Sequence, residues 1–202
     1  DFIPLGDGQI AVFIGDVSGH GLPAAFIASL AKLSLHNHLD KSLSPQSLFR
    51  AINQDLRTHL KTGHYLTAFF AIIDIKNNEI RYVRGSHPPP VLLRRDGTVV
   101  RLDAKGMLIG LLPEPEFQEH VETLQAGDRL FLFTDGCFSS FGEDELNPVS
   151  YARFTELVQE YGRLPLDSVF GALNVHLRAE LGMPEADDDR TFIGIEVHKP
   201  AL

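Results

Sequence analysis

The chain has 202 residues, 44% of them hydrophobic and 22% charged, with a formal net charge of −9 and a single cysteine, Cys137. This is the composition of a globular protein, long enough for one large domain or two small ones, with length alone leaning to one. The negative balance argues against a nucleic-acid-binding surface, although a bound cation would still let the chain take a phosphorylated substrate. One cysteine excludes an internal disulfide and suits a reducing cytoplasm. No apolar stretch approaches the ~20 residues that span a bilayer, and no signal peptide opens the chain. The first residue is not methionine, so the sequence is expected to be part of a longer protein.

Residues 9–15, Gln-Ile-Ala-Val-Phe-Ile-Gly, predict a strand buried on both faces, running into Asp16-Val17-Ser18-Gly19-His20-Gly21. A helix follows from Pro23 to His38, proline being tolerated near a helix start. A second runs from Pro45 to about Leu60, with Ser44 as N-cap and Leu48, Ile52 and Leu56 at helical spacing. The two helices are expected to pair antiparallel. The period then switches to strands: Tyr65–Ile75, an Asn77-Asn78 hairpin turn, and Glu79–Arg84. Beyond Pro88-Pro89-Pro90 come Val91–Arg94, an Asp96-Gly97 turn and Thr98–Leu102. Phe117–Leu124 and Arg129–Thr134 are expected to form another hairpin. Helices are predicted over Tyr151–Tyr161 and Leu166–Leu181, the second ended by Gly182 and Pro184, and Thr191–Val197 is a last strand. Antiparallel strands with helices grouped in pairs give an α+β class, a layered sheet sandwich with helices outside.

Three acidic segments stand at strand ends: Asp16, Asp135 after the run 129–134, and Asp187-Asp188-Asp189 before the last strand. If the last strand runs antiparallel to the other two, its start lies beside their ends. Clustered carboxylates repel unless a cation neutralises them, and hard oxygen donors suit Mg²⁺ or Mn²⁺. Taken singly, each junction also reads as an ordinary turn, with Asp16 or Ser18 capping the following helix. His36 and His38, two apart on a helix, point different ways and make a poor metal pair. His87 reads as a packing or hydrogen-bonding residue. Nothing basic beside Cys137 in sequence lowers its pKa, so it reads as a buried small hydrophobe. Glu143, Asp144 and Glu145 read as a solvated loop.

Asp16-Val17-Ser18-Gly19-His20-Gly21, Phe133-Thr134-Asp135-Gly136 and Asp188-Asp189-Arg190-Thr191 resemble, in order and spacing, the motifs of a known phosphatase group. This is the SpoIIE-like (RsbU-like) branch of the PPM metal-dependent serine/threonine protein phosphatases, the protein phosphatase 2C-like enzymes. Gly85-Ser86-His87-Pro88-Pro89 and the Gly106–Leu112 stretch resemble two further segments, so the resemblance covers essentially the whole chain. It implies a single domain over 1–202 with a PPM-type α-β-β-α sandwich, two mainly antiparallel sheets flanked by helix pairs. It also implies a binuclear Mn²⁺ or Mg²⁺ centre. Asp16 would bridge the ions, the Val17 carbonyl would ligate one, and Asp135 and Asp188 would be further ligands. Asp189 would orient Asp188, with Ser18 and His20 close by. The implied activity is hydrolysis of a phosphoserine or phosphothreonine protein, a phosphorylated anti-sigma-factor antagonist in a bacterial signalling pathway. A sensory or receiver domain would lie upstream, and helices 22–39 and 45–60 would act as a switch.

The chain departs from the pattern in three places. The first motif, Gly-Gly-Asp-x-x-Asp, would end at Asp1, leaving its metal-binding aspartate upstream and metal binding by these residues alone impaired. Ser139 or Ser140 stands where a glutamate is common, and Gly85-Ser86 stands for Ala-Gly. A phosphatase-like binding module with little catalysis is therefore the alternative, and a metal-dependent phosphodiesterase or nuclease a distant third. Dimerisation through the apolar helix pair and its complete burial both remain open.

Overall fold

A computed structural model describes residues 1–39, 44–59, 63–138, 148–181 and 189–198. The described chain divides into two compact units, one formed by Asp1–Pro89 with Asp103–Leu124, the other by Pro90–Leu102 with Gln125–Leu202. Each carries one antiparallel sheet and one helix pair, which is the predicted α+β class.

The first unit holds β1 (Phe2–Gly6), β2 (Gln9–Val17), α1 (Gly21–Leu39), α2 (Pro45–His59), β3 (Leu66–Asp74), β4 (Glu79–Gly85) and, in the chain order of the whole molecule, β7 (Glu119–Thr123). Its strands lie in the order β1-β2-β3-β4-β7, with Asp16 opposite Thr67 and Val17 opposite Leu66. α1 and α2 bury Ile27, Ala31, Leu35, Leu48, Phe49, Ile52 and Leu56 against Ala68, Phe70 and Ile72 of β3 and Val83 of β4. Fully burying each such side chain is worth about 1.5–3 kcal/mol, so the sheet and helix pair hold one another. Ser44 caps α2 as expected, its Oγ accepting the Ser47 N–H at 3.1 Å. The outer side of α1 is apolar as well, leaving Leu22, Phe26 and Leu33 exposed.

The second unit holds β5 (Val91–Leu93), β6 (Val99–Arg101), β8 (Arg129–Phe133), α3 (Pro148–Tyr161), α4 (Leu166–Leu181) and β9 (Phe192–Glu196), in the sheet order β6-β5-β8-β9. Phe133 sits at the centre of an aromatic nest. Its ring lies 4.8 Å from Phe154, 5.9 Å from Phe138 and 6.5 Å from Phe192, mostly edge-on. Such pairs add about 0.5–1.5 kcal/mol each beyond burial, which anchors the end of β8 immediately before Thr134 and Asp135.

Two expectations are corrected. Phe117–Leu124 and Arg129–Thr134 do not form a hairpin: β7 pairs with β4 in the first sheet, and β8 pairs with β5 and β9 in the second. The intervening turn is committed elsewhere. The buried Asp128 carboxylate accepts from Gln125 N at 2.9 Å and from Arg94 Nη1 at 2.7 Å, tying the turn to β5. The strand β1 was not anticipated because Pro4 interrupts its pattern. Proline is admissible there because β1 is an edge strand, and the β1–β2 turn is built from Gly6, Asp7 and Gly8, all at positive φ.

Candidate functional site

Asp16 and Val17 close β2, and the register decides what their backbone groups do. Leu66 exchanges both backbone hydrogen bonds with Ile109, at 2.9 and 3.0 Å, so its N–H and C=O point away from β2. Val17, its cross-strand partner, therefore sits in a non-hydrogen-bonded pair, with its carbonyl directed away from β3. A carbonyl outside that ladder is what the expected ligand role requires. The Asp16 carboxylate is half-buried at the same strand end. Opposite it, the Thr67 hydroxyl donates to the Asp16 carbonyl over a long 3.5 Å and lies 3.2 Å from Nδ1 of the buried His87. The Arg84 guanidinium donates to the His87 carbonyl at 2.8 Å, and the buried ring with its Thr67 contact gives His87 the packing or hydrogen-bonding role expected of it.

Ser18 continues the ladder in altered form. Its N–H donates to the Tyr65 carbonyl at 3.0 Å, but the Tyr65 N–H donates at 2.9 Å to Ser18 Oγ rather than to the Ser18 carbonyl. That carbonyl instead accepts from Nδ1 of His64 at 3.0 Å. Gly19 (φ +90°) and Gly21 (φ +75°) then turn the chain into α1. At Gly19 a Cβ would come within 3.3 Å of the His64 ring. Sequence reasoning missed His64, because it precedes β3 and is adjacent to Ser18 only through strand pairing. His20 is exposed, and among the described residues it makes no hydrogen bond or ion pair.

In the second unit, Thr134-Asp135-Gly136 leaves β8 and enters a 3₁₀ turn over Asp135–Cys137. β9 runs antiparallel to β8 and brings Asp189 beside this turn. Thr134 is the fastening. Its Oγ1 donates to the Asp189 carbonyl at 3.2 Å and accepts the Thr191 N–H at 3.0 Å, while its own N–H donates to the Thr191 carbonyl at 3.1 Å. Gly136 allows the approach, since a Cβ there would lie 2.4 Å from the Asp189 carbonyl oxygen. Asp135 is half-buried, with Oδ1 accepting the Gly136 N–H at 3.0 Å. Burial pushes the Cys137 thiol up to about 11, and its Sγ donates to the Thr191 carbonyl, so it is a packed side chain and no nucleophile at neutral pH.

Among the described residues no three or more His, Cys, Asp or Glu side chains form a group that could hold a metal ion. Asp187, Asp188, Ser139, Ser140, Glu143, Asp144 and Glu145 lie outside the described residues. His36 and His38 diverge as expected, toward Asp1 at 3.6 Å and Asp55 at 2.9 Å.

Comparison with known proteins decides the family. The family model described as "Stage II sporulation protein E (SpoIIE)" matches residues 6–198. The chain belongs to the SpoIIE family. Among curated relatives, this SpoIIE-family chain is 24% identical over 200 residues to "Phosphoserine phosphatase RsbP" of Bacillus subtilis (strain 168), covering 97% of the chain and 48% of that protein. It is 26% identical over 129 residues to "Phosphoserine phosphatase RsbU" of the same organism, covering 63% of the chain and 38% of that protein. It thus spans about half the length, or less, of these relatives. Among solved structures, the RsbU and RsbW domains of Rv1364c from Mycobacterium tuberculosis superpose with a TM-score of 0.82 at 23% identity, over 100% of the chain and 55% of theirs. The SiaA-PP2C domain of Pseudomonas aeruginosa gives 0.82 at 20% identity, over 97% and 78%. These likenesses show the PP2C-type fold expected from the motifs.

Proposed function

We propose that this SpoIIE-family chain is the catalytic domain of a metal-dependent serine/threonine protein phosphatase. The observation that carries the reading is the Val17 carbonyl, which the strand register keeps out of the β2–β3 ladder beside the half-buried Asp16 carboxylate. Residues 1–202 are read as one domain, in which Asp16, the Val17 carbonyl, Asp135 and Asp188 are the residues that would hold the ions. The donors fit Mn²⁺ or Mg²⁺ in kind: three carboxylates and a peptide carbonyl, all hard oxygens, with no thiolate or imidazole. When bound, such ions lower the pKa of water toward neutrality and neutralise charge on a phosphoryl group.

The chain's own contribution is positioning. Thr134 and Gly136 hold the Asp135 turn against the Asp189 segment, and Asp189 is read as orienting Asp188. The Ser18–Tyr65 bonds fix the direction in which β2 delivers Asp16 and Val17. No protein nucleophile is required, in keeping with the high pKa of Cys137. His20, exposed beside this loop, takes no assigned step.

The substrate is read as a phosphoserine or phosphothreonine protein, in keeping with relatives named phosphoserine phosphatases, and in particular a phosphorylated anti-sigma-factor antagonist. An upstream sensory or receiver domain would control it. No described helix is long and apolar enough to cross a membrane, and a cytoplasmic setting is proposed with the phosphoprotein partner. The exposed Leu22, Phe26 and Leu33 of α1 make a homodimer part of the proposal. The test is Mn²⁺-dependent release of inorganic phosphate from a phosphoserine protein by the full-length enzyme. Release lost with Asp135→Asn is expected. Binding of the phosphoprotein without release would make the domain a docking module, and cleavage of nucleic acid would move it to another class.

A further inference from the structure

We propose that the cleft between the β5–β6 turn and the turn before β8 is a docking site for an acidic segment of a partner protein. The inference involves neither Asp16 nor Asp135 and does not depend on the phosphatase reading.

Arg94, Arg95, Asp96, Thr98 and Gln125 line an open cleft of about 650 Å³ in the second unit. Strand register fixes its place. Leu93 pairs with Arg129, so the cleft stands at the start of β8, whereas Asp135 follows the other end of that strand. At about 3.3 Å per residue the two ends are about 20 Å apart. Both turns that form the cleft are held. The Gly97 N–H closes the first turn on the Arg94 carbonyl at 2.9 Å, and Gln159 of α3 donates to the Gly97 carbonyl at 2.9 Å. The Arg94 guanidinium is committed to the buried Asp128 carboxylate, which also accepts the Gln125 N–H and so ties the two turns together.

The remaining groups are available to a ligand. Arg95 and Gln125 are exposed, and among the described residues neither side chain makes a hydrogen bond or ion pair. The Arg95 stem rests on Gly127, where a Cβ would lie 3.1 Å from its Cδ, while its charged head stays in solvent. Arg163, exposed just beyond α3, lies against the other turn, since a Cβ at Gly97 would strike its guanidinium. It too makes no ion pair among the described residues. Asp96, the carboxylate lining the cleft, is taken up by its own turn and accepts the Thr98 N–H at 2.8 Å. Hydrogen bonds from Thr98, and to a lesser degree the Arg163 charge, hold it below the ordinary carboxylate range. A basic spot thus stands on a chain of net charge −9. A single small anion gains little from exposed guanidiniums in water. A chain bearing several carboxylates can engage Arg95 and Arg163 together, with the Gln125 amide meeting its peptide groups. Nucleic acid needs a longer basic footprint than two arginines supply. Charge and size therefore select an acidic peptide segment.

The experiment titrates the full-length protein into a fluorescein-labelled oligoglutamate peptide and reads fluorescence anisotropy at low ionic strength. The variants are Arg95→Glu, Arg163→Glu, the double reversal and the double change Arg95→Lys with Arg163→Lys. Arg50→Glu, at an exposed arginine of α2, is the control, and circular dichroism checks the folding of each. The double reversal is expected to weaken binding by about 10-fold or more and each single reversal by less. The lysine pair keeps the charge and should keep most of the affinity, and the control should stay within about 2-fold of the wild type. Raising ionic strength from about 0.05 to about 0.2 M should weaken wild-type binding several-fold. No binding by the wild type, a folded double reversal that binds like the wild type, or an equal loss in Arg50→Glu overturns the inference. Displacement of the peptide by inorganic phosphate, beyond that by chloride at equal ionic strength, also overturns it and leaves a small-anion site. Tighter binding of single-stranded DNA than of the peptide overturns it in favour of a nucleic-acid surface. The phosphatase reading is untouched by any of these results, because it is tested by Mn²⁺-dependent phosphate release.

Discussion

The two aspartate junctions look alike in sequence, each an apolar run ending in Asp, yet the structure secures them by opposite means. At the end of β2 the ladder is partly dismantled: Ser18 Oγ replaces a carbonyl, His64 takes the carbonyl so released, and two glycines at positive φ complete the turn. At the end of β8 the neighbouring backbones are drawn together, with Thr134 bonding to Asp189 and Thr191 and Gly136 leaving no room for a side chain. The first junction is governed by polar side chains on a half-buried loop. The second is governed by steric fit above a buried aromatic nest. The first should therefore tolerate added bulk better than lost hydrogen bonds, and the second should resist added bulk most and lost hydrogen bonds less.

The sharpest break is expected at the second junction. Gly136→Ala puts a Cβ 2.4 Å from the Asp189 carbonyl oxygen, with backbone rather than a flexible side chain in the way. It should cost about 3 kcal/mol or more, read as a lower midpoint in urea unfolding. Gly19→Ala, at the first junction, meets only the His64 ring at 3.3 Å and bears mainly the positive-φ penalty of about 1–2 kcal/mol. Equal costs for the two would erase the contrast.

Thr134→Val keeps shape and removes the hydroxyl that bonds the Asp189 carbonyl and the Thr191 N–H in a buried setting. A loss of about 1–3 kcal/mol is expected, measured by the same unfolding midpoint. Smaller still is the effect at Ser86, where φ is +53° and the related segment of the resembling phosphatases has glycine. Ser86→Gly relieves the backbone but loses the Oγ bond to the Gly106 carbonyl, so a net change within about 1 kcal/mol in thermal stability is expected.

The β3–β4 turn lies at the far end of β3 from the Asp16 junction and supplies a pH control. The Gln9 amide, followed by the Asn77 N–H, holds the Asp74 carboxyl down at about 2 from an ordinary 3.8. A depressed folded-state pKa means the stabilisation is fully present above 3.8 and is lost as pH falls through about 2. Asp74→Asn should flatten the stability profile between those values without altering Mn²⁺ dependence. An unchanged acid limb in that variant would contradict the assignment.

The positions of Asp16 and Asp135 at strand ends were legible because apolar runs and the Gly-rich turns after them are local signals. Ser44 as a cap and the Asn77-Asn78 turn were readable for the same reason. β1 was hidden by Pro4, a signal that only edge position overrides. The supposed hairpin of β7 and β8 failed because partner choice depends on Asp128 and Arg94, which meet only in the folded chain. His64 was invisible for the same reason: its partner is 46 residues away in sequence. Local chemistry reads from the sequence, whereas a contact made by strand register does not.

The proposed function requires both Asp16 and Asp135 for the same metal-dependent hydrolysis. The most direct test is Mn²⁺-dependent hydrolysis of p-nitrophenyl phosphate by the full-length protein, its Asp16→Asn and Asp135→Asn variants, and the double variant. Ligands of one centre act as a unit, so each single change should abolish most activity, by more than about 100-fold, and the double change should be little worse. Substantial activity in either single variant, or losses that multiply in the double, would contradict that joint requirement.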